Sequence, residues 1–110
     1  MAEHFRDIEK IQDILHEAQT GLWAIELEEG REPRMYADKA MLELLGFTGE
    51  PSPEECYRGW YDRIDADYYP MVQDVVRRMC LDERAEVEYP WHHPLWGQIY
   101  VRCGGIRDKN

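Results

Sequence analysis

The run from Gly21 to Phe47 constrains the fold more than any other part of this chain. Leu22 to Leu27 alternate, with Trp23, Ile25 and Leu27 on one face and Ala24 and Glu26 on the other, the pattern of a strand half covered by a core. The Trp23 face is the one expected to be buried. A polar turn over Glu28 to Pro33 leads to a second short strand, Arg34 to Ala37. Asp38 then stands where a helix N-cap is wanted. Ala40, Met41, Leu44 and Leu45 form the apolar face of the following helix, and Gly46 stops it.

The remaining segments extend that pattern. Residues 3–19 read as a helix in which Ile8, Ile11, Leu15 and Ala18 recur at spacings of three, four and three, a narrow stripe of the coiled-coil kind. Phe5 and Ile14 widen it, so it suits packing on its own domain as well as a dimer seam. Gly21 is available as a left-handed cap at its end. Ser52-Pro53-Glu54-Glu55 has the form of a capping box and predicts a helix to Arg63 or Ile64, with Cys56, Trp60 and Ile64 on one side. After a connector ending near Pro70, residues 71–83 form another helix. Its apolar side includes Val72, Val75 and Cys80, the last expected as a small core residue. Ala85, Val87, Tyr89 and Trp91 alternate with Glu86, Glu88 and Pro90, a half-buried strand. His92 to Leu95 form a connector, and Trp96 to Cys103 the next strand.

The chain has 110 residues, the size of one domain, with no repeat and no interdomain linker. At 44% hydrophobic and 33% charged, with four tryptophans, it has the makings of a globular core. A net charge of −10 is the reverse of a nucleic-acid footprint and disfavours an anionic membrane surface. No run of about 18 apolar residues is present, so no membrane insertion is expected. Cys56, Cys80 and Cys103 are odd in number and far apart, which reads as free thiols in a reducing, cytoplasmic setting.

Several of these elements together resemble a PAS domain, over roughly residues 18–110. Gly21-Leu22-Trp23 with Glu26 is similar to that family's opening strand. Leu44-Leu45-Gly46-Phe47 is similar to its leucine-rich helix end, and Ile64-Asp65-Ala66-Asp67 looks like a degraded Ile-His-Pro-Asp element. Glu86-Val87-Glu88-Tyr89 and Gly97-Gln98-Ile99-Tyr100-Val101-Arg102 are similar to its later strands. Pro90 and Ala66 depart from the pattern. The resemblance implies an α+β fold: one curved antiparallel sheet, shared by Trp23 and Tyr89, with short helices on one face and an amphipathic N-terminal helix. Four strands are visible where the family has five, so the domain (20–110) reads as truncated before its last strand. The open edge is then expected to be covered by another chain or by the helix of residues 1–19.

The resemblance further implies a non-catalytic sensory and dimerisation module of a cytoplasmic, bacterial-type signalling protein. A histidine kinase (two-component system) or a cyclic-dinucleotide (diguanylate) cyclase is the kind of effector such a module serves. A homodimer would form through Ile8, Ile11, Leu15 and Ala18. A small molecule could occupy a pocket lined by Trp23, Ile25, Met35, Met41, Leu45, Val87, Tyr89 and Tyr100, although a filled core is the simpler use of those side chains. Flavin and haem are disfavoured, because Cys56 lies outside any flavin-type motif and the 71–83 helix has no His. No metal site is expected: His92 and His93 are adjacent on an extended segment and point apart, and the cysteines lack C-x-x-C spacing. Asp62, Asp65 and Asp67 read as helix-end and turn residues. Two rival readings are a small cone-shaped α+β enzyme with an acid or base in the cavity, and a purely structural dimerisation module.

Overall fold

In a computed structural model of the chain, residues 9–11, 13, 14 and 17–107 are described. The described part is α+β and falls into two compact units, one up to Trp60 and one from Tyr61 onward. Residues 9–11, 13, 14 and 17 are helical, and Ile11 and Ile14 are each 56% exposed. Ala18 lies in a turn and is exposed; Ile8 and Leu15 lie outside the described residues.

The first unit is built on a hairpin of two four-residue strands, β1 (Trp23–Glu26) and β2 (Arg34–Ala37). They pair antiparallel, Trp23 opposite Ala37 and Glu26 opposite Arg34. Arg34 ties the hairpin across its exposed face, donating to Glu26 at 3.0 Å and to Glu28 at 3.2 Å. The predicted facing of β1 holds, but Trp23 and Ile25 are only half-buried, and Leu27 lies beyond the strand, 49% exposed. Met35 on β2 is the buried member of this hairpin.

Helix α1 (Lys39–Leu44) follows without a linker because Asp38 caps it. One Asp38 carboxylate oxygen accepts from Met41 N at 2.8 Å and from Leu22 N at 3.1 Å, while Asp38 N donates to Leu22 O at 3.0 Å. The cap therefore fixes the start of α1 to the start of β1. Asp38→Ala is expected to cost about 1–2 kcal/mol in urea denaturation, and Asp38→Asn, which keeps an acceptor, clearly less. At the other end Gly46, at φ 76°, supplies a left-handed Schellman close: Gly46 N donates to Glu43 O and Phe47 N to Leu42 O, both at 3.0 Å. Helix α2 (Pro53–Tyr61) opens with the predicted capping box, Glu55 N donating to Ser52 Oγ at 3.2 Å and Ser52 N to Glu55 Oε1 at 3.4 Å. Cys56 and Trp60 are its buried residues.

Gly21 does not take the left-handed conformation foreseen for it; Gln19 does, at φ 57°. Gly21 instead lies directly against Met41, leaving no room for a side chain.

In the second unit, a 3₁₀ turn (Ala66–Tyr68) leads into α3 (Tyr69–Cys80), which has a proline in its first turn and Arg77 and Arg78 in its last. Those arginines suit the negative end of the helix dipole. Tyr69 donates its hydroxyl to Tyr61 O at 2.9 Å, joining the two ends of the connector. Val72 and Val75 are buried. Cys80, expected inside, is exposed: the helix ends there and the residue faces water.

Strands β3 (Ala85–His93) and β4 (Gly97–Gly105) form a nine-residue hairpin. Ala85, Val87, Tyr89 and Trp91 are all buried, as the alternation predicts, and the strand continues through His92 and His93 instead of giving way to a connector there. Residues 63–65 lie along the outer edge of β3, with Ile64 bridging Trp91, Asp65 N donating to Pro90 O at 3.1 Å and His92 N to Arg63 O at 2.8 Å. Pro90 therefore lacks its N–H on that outer side, where the β4 ladder loses nothing. On β4, Tyr100 is 69% exposed and lines no pocket with the buried residues expected beside it. The alternation puts it on the outer face with Gln98 and Arg102.

The four strands do not form the single layer expected. They make two two-stranded sheets, β1-β2 and β3-β4, so Trp23 and Tyr89 belong to different sheets. Alternation identifies a strand and its buried face, but not which strand lies beside it. Each strand here pairs with its chain neighbour, the partner that costs least loop entropy. No helix among the described residues is long and apolar enough to cross a membrane.

Candidate ligand cleft

The first unit contains an open cleft of about 580 Å³. Three pieces of local structure make it. Strand β2 contributes Met35, Tyr36 and Ala37; α1 contributes Lys39, Leu42 and Glu43; the segment from Phe47 to Pro53 and the first turns of α2, with Cys56, close the remaining side. The Schellman close of α1 carries much of this geometry, since it turns Phe47 back toward Leu42 and both line the cleft. Pro51 and Pro53 stiffen the opposite wall.

The lining divides by chemistry. Met35, Leu42, Phe47, Pro51, Pro53 and Cys56 give apolar surface; Lys39, Glu43, Glu50 and Thr48 are exposed and polar. A concave, mostly apolar site of this volume with a few polar groups is the usual form of a small-molecule site. Burial pushes the Cys56 thiol above its ordinary range. It is therefore suited to packing against a ligand rather than to attacking one. The Tyr36 hydroxyl is also pushed up, first by its hydrogen bond to the Glu26 carboxylate.

Of the pocket residues named from the sequence, Met35 alone lines this cleft. Met41 and Leu45 are buried on the other side of α1, and Trp23 and Ile25 are half-buried on β1. Val87 and Tyr89 are core residues of the second unit, where Tyr89 OH lies 3.3 Å from Cys103 Sγ. Sequence reasoning missed the Lys39–Leu42–Glu43 face of α1 because it treated the more apolar face as the only useful one. A signal was present: Leu42 stands off the main apolar stripe, just before a helix end marked by Gly46-Phe47.

His92 is exposed and His93 buried, on opposite faces of β3. No group of three or more His, Cys, Asp or Glu side chains converges among the described residues. No family model, curated protein or solved structure matches the chain.

Proposed function

We propose that this chain is a non-catalytic sensory module of PAS type, in which a small, largely apolar ligand in the cleft alters packing and so the state of a signalling effector. The observation that carries this reading is the cleft itself, with an apolar floor and a polar rim inside one compact unit. The strand-strand-helix opening and the paired strands at the end keep the element order that resembles that family, without its single sheet. A ligand acts by favouring one of two packings, and only its difference in affinity between them does work. The cap that joins β1 to α1 gives such a change a route, since Leu22 and Met41 share one carboxylate oxygen.

The acid–base enzyme reading needs a buried carboxylate or histidine facing the cavity, and the carboxylates that line the cleft, Glu43 and Glu50, are exposed. The buried histidine, His93, is not among the cleft residues, and its Nδ1 already accepts two backbone N–H groups. The dimer reading draws support from Ile11 and Ile14, two large apolar side chains more than half exposed on one helical stretch.

Native mass spectrometry of freshly purified protein tests both. Wild type is expected to carry a co-purified small molecule, and Leu42→Trp, which fills the cleft, to lose it. The spectrum is also expected to show a dimer that Ile11→Asp converts to monomer. A bare polypeptide that gives no thermal shift with a panel of cleft-sized amphiphiles would remove the sensor reading and leave the interaction module.

A further inference from the structure

His93, the last residue of β3, is only 4% exposed. Its Nδ1 accepts two hydrogen bonds, from Leu95 N at 3.0 Å and from Trp96 N at 3.1 Å. A ring nitrogen that accepts carries no proton, so in this arrangement the imidazole is neutral with its hydrogen on Nε2. The Trp96 indole stacks flat on the ring, with centroids 4.0 Å apart and planes 6° from parallel, while Trp91 meets it edge-on at 6.0 Å. Between β3 and β4 the turn is three residues long, Pro94 to Trp96, and Gly97 closes it at φ 76°. Pro94 has no N–H, so both amide N–H groups of the turn are held by one side chain.

We propose that His93 is a pH-sensitive latch on the β3–β4 turn: when Nδ1 takes a proton, the Leu95 and Trp96 amides lose their acceptor and the turn opens, moving the exposed Leu95 and Trp96 side chains.

The opposing forces can be ranked. An imidazolium stacked on an indole gains a cation–π attraction. Against it stand two lost hydrogen bonds, an N–H brought up against two N–H donors, and the desolvation of a buried charge. Burial first, and then the positive charge of Arg63, hold His93 below the ordinary imidazole range. Arg63 sits on the segment beside β3 and donates to His92 O at 3.2 Å. Asp65 lies 3.5 Å from His92 Nε2, on the opposite face of the strand from His93. A group depressed in the folded state stabilises it above its unfolded value and stops doing so as pH falls through the folded one. The latch is therefore closed at neutral pH and opens in acid, below about 6.5.

Nitrogen-15 spectra of the imidazoles and amides across about pH 7.5 to 4.5 test this, in a His92→Gln background so that one hairpin imidazole is followed. The neutral ring is expected as the Nε2–H tautomer. As it gains a proton, the Leu95 and Trp96 amides should shift together and their exchange protection fall by roughly tenfold. His93→Asn, which offers an acceptor near the Nδ1 position and cannot titrate, should keep both amides protected throughout. His93→Phe, which keeps a stacking ring without an acceptor, should leave them unprotected at every pH. Should the Phe variant not fold, the titration and the Asn variant still decide. Amides that hold their shifts while His93 protonates, or a neutral Nδ1–H tautomer, would overturn the proposal.

Discussion

Trp91→Ala is expected to destabilise the protein by about 3–5 kcal/mol. Trp91 has no exposed surface. On β3 it lies opposite Ile99 of β4 and bridges Ile64 on the strand's other side, so one residue joins three extended segments. It also meets the His93 ring edge-on. Removing the indole leaves a cavity that a sheet hydrogen-bonded on both edges cannot easily collapse into. A domain of this size has about 5–15 kcal/mol in all, so the variant should unfold at a clearly lower urea concentration than wild type. Trp91→Phe, which keeps most of the apolar volume, should lose much less. Urea unfolding followed by far-ultraviolet circular dichroism measures both. An alanine variant within about 1 kcal/mol of wild type would mean that β3 is not the centre of the second unit.

Trp91 and Trp23 differ in depth in a way that alternation alone does not encode. Both sit in alternating runs, and alternation correctly gives the inward face of each. In β3 the buried face runs through five positions, from Ala85 to His93, on a strand with neighbours on both edges. In β1 it has only Trp23 and Ile25, on a four-residue strand, and both stay half-buried. Depth of burial depends on what lies across from the face, and periodicity does not contain that. The cleft was less legible than the helices for the same reason. Caps are local, so Asp38, Gly46 and the Ser52–Glu55 box could be read from neighbouring residues, and all three are in place. The cleft joins β2, α1 and the Phe47–Pro53 segment, and its apolar residues mostly lie off the stripes that mark a core. The hairpin turn is hidden differently: His92-His93-Pro94-Leu95 has the composition of a connector, although its second histidine is the inward-facing end of a strand and the acceptor for its own turn.

Gly21→Ala is the second large effect, expected at about 2–3 kcal/mol, and its cause separates two explanations of the glycine. A Cβ built on Gly21 would lie 2.5 Å from both Met41 Cα and Met41 Cβ and 2.7 Å from Met41 N. Those distances are far inside van der Waals contact, and two of the three atoms are backbone. The helix cannot move aside cheaply, because Asp38 fixes Met41 N and Leu22 N together. Overpacking usually costs about 1–3 kcal/mol, and a clash this close with main-chain atoms stands at or above the top of that range. Alanine's smaller unfolded-state entropy returns only about 0.4–1 kcal/mol. Trimming the neighbour distinguishes crowding of the main chain from crowding of a flexible side chain. Met41→Ala keeps Cα, Cβ and N, every atom in the way, so the double variant should recover none of the Gly21→Ala loss in a double-mutant cycle. Recovery of most of it would place the conflict in the outer Met41 side chain. A Gly21→Ala protein as stable as wild type would show that β1 and α1 do not approach this closely, and the shared cap at Asp38 would go with them.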